Sequence, residues 1–379
     1  MHVTGDWLTA AGTQAVLGML NSAGHEAYCV GGCVRNALLG VPVADVDIAT
    51  DAEPAKVAKL AEAEGFKVVP TGIDHGTVTV IVKSEPYEVT TYRKDVETDG
   101  RRAVVAFATD IVEDARRRDF TVNALYAQAD GTLVDPLGGY PDLAARRIRF
   151  IEDAATRIEE DYLRILRFFR FYAWYGEGNL DAEGLAACAA HVDGIAKLSK
   201  ERIGAEMAKL LAAPDPVPTL AAMVASGVLA QVIGGADIIA LGPLVHIEQT
   251  LGIPPRWQRR LAALGGNGVA RALRLSKADA TYLKQIKAVS CGAVEAGYRF
   301  GADVARDAKL IEAASLGVMP DPNLLADVAR GAVAVFPLAG ADLMERFDKG
   351  PALGAELRRL ERIWIESGFT LSKAELLNA

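Results

Sequence analysis

Apolar residues in the first third of the chain fall into short runs with period two or with β-branched side chains, at 27–30, 68–69, 76–82 and 87–92, punctuated by Gly, Asp and Pro. Runs this short and this alternating read as strands. From residue 154 onward the pattern changes, and Ala, Leu, Glu, Arg and Lys recur at helical spacing, broken at Gly176-Glu-Gly-Asn179 and at Pro214-Asp-Pro-Val-Pro218. The chain therefore reads as α+β, a small mixed sheet with flanking helices followed by an all-helical remainder. Residues 220–236 are uncharged and apolar, but Ser226-Gly227 and Gly234-Gly235 interrupt them. Short buried helices are predicted there, not a membrane span. Residues 94–110 mix charge with a Gly turn between strand-like segments and read as a mobile loop.

Length and charge then bound the picture. With 379 residues, 51% of them hydrophobic, the chain can bury two or three cores. A formal net charge of −8 disfavours general nucleic-acid binding. Locally the balance reverses, because residues 256–287 carry eight cations against one anion, Asp279. Such a run is either a solvated helical face or a surface that tracks phosphates, and Arg256, Arg259, Arg260, Arg271, Arg274 and Lys277 are its candidate RNA contacts. The four cysteines (Cys29, Cys33, Cys188, Cys291) lack paired metal-ligand spacing, and the N-terminus has no basic start followed by a long apolar run. Both predict a cytoplasmic protein with reduced thiols.

The candidate chemistry begins with Asp45-x-Asp47, which in a strand would place both carboxylates on one face while Val46 and Ile48 turn to the core. Two carboxylates so placed repel unless a cation joins them, and Mg2+ takes one or two carboxylates with substrate phosphates and water. Upstream, Gly31-Gly32 lets the backbone approach a ligand, and Arg35 adds a fork of donors suited to phosphate. In the string 113–126, Arg118 can clamp a triphosphate, while Asp119 and Asn123, four apart on one face of a predicted helix, can bond a ribose hydroxyl. A capped, charged helix start is the plainer explanation of that string taken alone. Further on, Asp161, Arg164, Arg167 and Arg170 recur every three residues along one predicted helix. An Asp acceptor beside an Arg donor matches the pairing edges of cytosine and adenine and mismatches uracil and guanine, although an intrahelical ion pair with exposed arginines would show the same spacing.

Taken together, Gly31-Gly32-x-x-Arg35, Asp45-x-Asp47, Arg117-Arg118-Asp119-Phe-Thr-Val-Asn123, Asp135-Pro-Leu-Gly-Gly139, Glu160-Asp161-x-x-Arg164 and Glu201-Arg-Ile-Gly-Ala-Glu206 resemble, in order, the motifs of class II tRNA nucleotidyltransferases, the CCA-adding family of the polymerase-β-like superfamily. The resemblance implies a head at 1–137, a helical neck with a nucleotide-template helix at 138–213, and a tRNA-binding helical body and tail at 214–379. It implies that Asp45 and Asp47 hold catalytic Mg2+, and that Gly32, Arg35, Arg118, Asp119, Asn123, Asp161, Arg164, Arg167 and Arg170 bind CTP or ATP. The tRNA 3′-hydroxyl would attack the α-phosphate in line, in a two-metal reaction that releases pyrophosphate. Glu88, in the run 87–92, is either a third carboxylate near the metal or a solvent-facing strand residue. Asn36 stands where the family commonly has Asp. A-adding enzymes and poly(A) polymerases share these head motifs and stay open as alternatives, as does an inactive RNA-binding module. No His-Asp phosphohydrolase motif is found among His2, His25, His75, His191 and His246, and neither a membrane nor an obligate protein partner is implied.

Overall fold

The computed structural model describes residues 1–73, 76–99 and 102–379, which form two compact units, Met1–Val232 and Ile233–Ala379.

The first unit is built on a seven-stranded mixed sheet from β1 (Ala27–Val30), β2 (Asp47–Thr50), β3 (Lys67–Gly72), β4 (Thr77–Val82), β5 (Glu85–Thr91), β8 (Tyr126–Ala127) and β9 (Leu133–Val134), in the order β3-β4-β5-β2-β1-β8-β9. The central strands carry the sheet's apolar side chains, and Cys29, Val30, Ile48, Ala49, Val78, Val80 and Val89 are buried. Helices Ala11–Ser22 and Pro54–Ala63 supply the cover, burying Val16, Leu17, Leu20, Val57 and Ala61. β2 runs antiparallel to β1 and parallel to β5, with Asp47 opposite Glu88. The strand begins only at Asp47, so Asp45 lies in the extended segment before it, contrary to the expectation that one strand carries both. The alternation nevertheless persists, with Asp45 and Asp47 exposed, Val46 half-buried and Ile48 buried.

The segment read as a mobile loop is a hairpin. β6 (Arg93–Asp99) and β7 (Arg102–Phe107) pair antiparallel from Arg93 opposite Phe107 to Asp99 opposite Arg102, while the tip, 100–101, lies outside the described residues. After the sheet, an aromatic core carries the chain into its helices: Phe120 meets Phe150 at 5.0 Å and Phe171 at 5.2 Å between ring centroids, and Phe150 stacks on Phe168 at 5.4 Å. Phe168 and Phe171 belong to helix Leu163–Tyr175, which packs on helix Lys200–Leu211. The apolar stretch after Pro218 forms helices Val217–Ala225 and Val228–Val232, separated at Gly227, whose φ of 75° no helix continues. No helix among the described residues is long and apolar enough to cross a membrane.

The second unit is entirely helical among its described elements, with one core around Leu244, Ile247, Leu310 and Val328 and another around Leu343, Leu360, Trp364 and Leu376. Its basic run divides sharply. Arg259 and Arg260, expected on an RNA-facing surface, are each 1% exposed. Arg259 donates to Glu248 Oε1 (2.7 Å), Asp307 Oδ1 (2.9 Å) and the Pro254 carbonyl (2.7 Å), and Arg260 donates to Glu248 Oε2 (2.9 Å). A buried cation needs such partners, which consume its donors. Arg256 lies over the Tyr282 ring at 4.4 Å and pairs with Asp303 at 3.1 Å, whereas Arg271, Arg274 and Lys277 are exposed.

Candidate active site

β1 is followed by Gly31, whose φ of 73° turns the chain back at once into helix Gly32–Leu38. Side chains rarely adopt that conformation, and a Cβ at Gly31 would stand 3.4 Å from Arg118 Nη1, so glycine here keeps the guanidinium against the backbone. On the new helix, Arg35 folds inward and is 6% exposed. Its Nε and Nη2 donate to Asn36 Oδ1 at 3.2 and 2.9 Å, Nη2 also to the Tyr175 hydroxyl at 3.0 Å, and Nη1 to Asn123 Oδ1. The guanidinium lies 4.1 Å from the Tyr175 ring centroid. Every one of these partners is neutral. Burial lowers the Arg35 pKa and nearby Arg170 adds to that, while Tyr175 opposes both. Asn36 is thus a double acceptor for Arg35, and its Nδ2 bonds the Pro42 carbonyl at 3.1 Å.

Across the turn stand the carboxylates. The Asp47 pKa is raised, first by burial in the wall of the concavity and then by the Glu88 charge, with Asp45 adding and Arg118 opposing. Although Asp47 keeps a face to solvent, it has lost much of its hydration. Hard oxygen donors that repel one another in this way fit a hard divalent cation, which would relieve both effects. No group of three His, Cys, Asp or Glu side chains poised to hold a metal occurs among the described residues. The arrangement suits an ion completed by phosphate oxygens and water better than a protein-only cage.

The turn and carboxylates open on a cleft of about 480 Å³ lined by Gly31, Gly32, Arg35, Asp47, Arg118, Asp119, Asn123, Asp161, Arg164, Arg167, Arg170, Phe171 and Arg202. That volume accommodates one small polar ligand. Ten predicted residues meet in this wall, Asp45 and Glu88 adjoin Asp47, and the six basic candidates belong to the second unit.

Several details differ from expectation. Asp119 and Asn123 do not share a helix, since Ile111–Arg116 ends before them and Asn123 closes a 3-10 turn; they bond each other at 2.9 Å all the same. Asp119 also accepts from Phe120 N (2.9 Å) and Arg167 Nε (2.6 Å). Burial pushes its carboxyl up, but Arg167 and these hydrogen bonds prevail and hold it below the usual range. Asp161 ends helix Ala154–Glu160 and precedes Leu163–Tyr175, so it is not on the arginine helix. Its Oδ1 accepts from Leu163 N at 3.1 Å and its Oδ2 from Arg202 Nη2 at 2.6 Å. Arg164 pairs instead with Glu160 and donates to the carbonyls of Arg157 (2.8 Å) and Arg117 (3.0 Å).

Sequence reading missed the partners. Arg118 is held by Asp114 Oδ2 at 2.9 Å, Arg170 by Glu206, and Asp161 by Arg202. Asp114 lies in the same string as Arg118, and Arg202 and Glu206 in the 201–206 motif, but nothing in sequence tells which carboxylate meets which arginine across elements. Six arginines line the cleft, and five have a carboxylate: Arg118–Asp114, Arg164–Glu160, Arg167–Asp119, Arg170–Glu206 and Arg202–Asp161. Among the described residues Arg35 stands in no ion pair. The cleft is therefore prepared for an anion.

Residues 27–149 match the family model described as the poly A polymerase head domain, and 179–237 that of the probable RNA and SrmB-binding site of polymerase A. The mitochondrial CCA tRNA nucleotidyltransferase 1 of Mus musculus is 34% identical over 400 residues, covering 98% of this chain and 90% of that protein. A CCA-adding enzyme of Streptococcus pyogenes is 42% identical over 212 residues, 55% of this chain and 52% of its own length. The crystal structure of the Bacillus stearothermophilus CCA-adding enzyme in complex with CTP superposes with a TM-score of 0.74 at 29% identity, covering 94% of this chain and 92% of that one.

Proposed function

The chain belongs to the CCA tRNA nucleotidyltransferases, and on that premise we propose that the cleft of the first unit takes CTP or ATP while a tRNA 3′ end is presented to it. The enzyme builds or repairs the 3′-terminal CCA of tRNA from CTP and ATP. The observation that carries the site assignment is the charge balance of the cleft wall, where among the described residues Arg35 alone has hydrogen bonds only to neutral groups. Arg35 and Arg118 receive the triphosphate. Asp45 and Asp47 hold a divalent cation, taken as Mg2+ from their hard-oxygen chemistry, with Glu88 supporting the charge. When bound, that cation offsets the charge growing on the attacking and leaving oxygens.

The remaining roles fall to this chain's own groups. Asp161, oriented by Arg202 and by the Leu163 amide, accepts from the exocyclic amine of cytosine or adenine, and Arg164 donates to the adjacent ring nitrogen. Arg167 and Arg170 add positive charge to the cleft wall, while Asp119 and Asn123 keep the ribose side of the cleft and tie Arg35 to Arg167. The tRNA 3′-hydroxyl then attacks the α-phosphate in line, its proton passes to solvent, and pyrophosphate departs. We read residues 1–137 as head, 138–213 as neck and 214–379 as body and tail, with tRNA contacts narrowed to Arg271, Arg274 and Lys277 and partly to Arg256. Three buried cysteines, Cys29, Cys33 and Cys188, support a reducing compartment, taken as the cytoplasm.

The test is to incubate the enzyme with tRNAs ending at the discriminator base, at C or at CC, and to sequence the products. Completion to CCA in every case is expected, and loss of all incorporation in Asp47→Ala with tRNA binding retained. Addition of A alone, or of a long A tract, would overturn full CCA addition.

A further inference from the structure

The wall of the cleft gathers like charges more tightly than its ion pairs explain. The guanidinium carbons of Arg35, Arg167 and Arg170 lie 5.1, 5.2 and 4.2 Å from the centroid of one ring, that of Phe171. Asp119 and Glu206 pair with two of these cations, whereas among the described residues Arg35 has hydrogen bonds to neutral groups and feels the Asp119 charge through Asn123 without pairing with it. The three come from two different parts of the fold: Arg35 follows the β1 turn, and Arg167 and Arg170 project from helix Leu163–Tyr175. Asp119 and Asn123 tie Arg35 to Arg167, and Glu206 holds Arg170 separately, so a contact common to all three is still needed to keep the group together before any anion arrives.

An aromatic ring can do this, because its faces carry negative potential that attracts a cation, and more strongly where water is excluded. Phe171 is 4% exposed. It packs against Phe120, at 5.2 Å, and Tyr175, at 5.8 Å between centroids; the Tyr175 ring also faces Arg35, at 4.1 Å, but of the three arginines it meets only that one. Its neighbours Phe168 and Phe169 are equally buried, yet among the described residues no cation lies over either ring.

We propose that Phe171 is a positioning residue for nucleotide binding, whose ring holds Arg35, Arg167 and Arg170 as one preorganised anion-receiving group. This rests on the reading that these three arginines face the nucleotide. The ring acts on charge and not on base identity, so weakening it raises KM for CTP and ATP together and leaves the preference for CTP over UTP where it was.

The experiment replaces Phe171 in the full-length enzyme with mono-, di- and trifluorinated phenylalanines, which drain the ring's negative potential at nearly constant volume. KM for both nucleotides is expected to climb stepwise, to roughly tenfold at the trifluoro ring, with kcat and melting temperature little changed. Phe168→Leu serves as the packing control, lowering the melting temperature without moving KM. A flat KM across the fluorinated series overturns the role of the ring, and so does a Phe168→Leu enzyme whose KM rises as much as that of Phe171→Leu. Arg35→Gln separates the two layers of the argument. Should it leave KM unchanged, the nucleotide-facing reading of the arginines fails; should it raise KM while the fluorinated series stays flat, that reading survives and only the ring's role is lost.

Discussion

At the scale of single residues, the cleft works by hydrogen-bond polarity and by charge, and each is open to test. On the proposed template reading, Asp161→Ala removes the acceptor for the amine of C and A, leaving Arg164 as a donor that serves the carbonyl of U equally well. A bidentate reading contact is worth on the order of 1 to 3 kcal/mol, so the preference for CTP over UTP should fall by roughly one to two decades. Competition between the two nucleotides on tRNA lacking its CCA end measures this, and an unchanged preference with a lower rate would make Asp161 purely structural. Asp114 offers a test through pH. Burial pushes its carboxyl up, but Arg118, Arg117 and the Tyr126 hydroxyl overcome that and hold it at about 2, below the ordinary 3.8. A depressed folded pKa adds stability above the unfolded value and loses it as pH falls through the folded one. Asp114 therefore contributes about 2 kcal/mol at neutral pH, fading between about pH 4 and pH 2. Urea midpoints at pH 7 and pH 3 should differ less in Asp114→Asn than in the parent. Candidate residues such as Arg35, Asp47 and Asp161 are legible in sequence because polar types at fixed spacings among apolar neighbours announce chemistry. Their partners are not, since Asp161–Arg202 and Arg170–Glu206 span 41 and 36 positions and depend on how helices pack.

At the scale of elements, the sheet and the helical remainder follow from periodicity, and the two misread segments fail for different physical reasons. Residues 93–99 and 102–107 pair through backbone ladders that need no apolar face, so a charged sequence conceals them. Residue 161 interrupts a pattern that looks like one helix, with no Gly or Pro to mark the break. A carboxylate capping Leu163 N, fixed by an arginine from another helix, makes that break, and tertiary bonding overrides local propensity. The hairpin also carries a prediction. Replacing 95–105 with a short Gly-Ser link should spare the two C additions and impair the terminal A, if this element reshapes the cleft between nucleotides. Product lengths on tRNA ending in CC decide the point, and normal A addition would remove the hairpin from that role.

For the whole molecule, a chain of net charge −8 that handles RNA must restrict its positive charge to chosen faces. Counting cations in 256–287 overstates the face available, because Arg259 and Arg260 are spent on Glu248 and Asp307 inside the second unit. Two classes of variant should separate cleanly. Arg259→Ala leaves Glu248 and Asp307 short of a buried partner and should cost about 3 to 5 kcal/mol of stability, seen in thermal unfolding. Arg271→Glu with Lys277→Glu should leave unfolding alone, weaken tRNA binding and flatten its salt dependence, which filter binding at several ionic strengths would show. The unpaired cation at Arg35 has a consequence of another kind. Whatever anion fills the cleft binds the folded chain and not the unfolded one, so the melting temperature is a property of the solution as much as of the sequence. A triphosphate at a hundredfold excess over its Kd adds about 2.7 kcal/mol. Scanning calorimetry in buffers of rising triphosphate should trace that rise, and Arg35→Gln should blunt it. In a nucleotide-rich milieu the empty enzyme is then the rarest and most fragile form of the protein, and starvation for nucleotides becomes a threat to its lifetime as well as to its turnover.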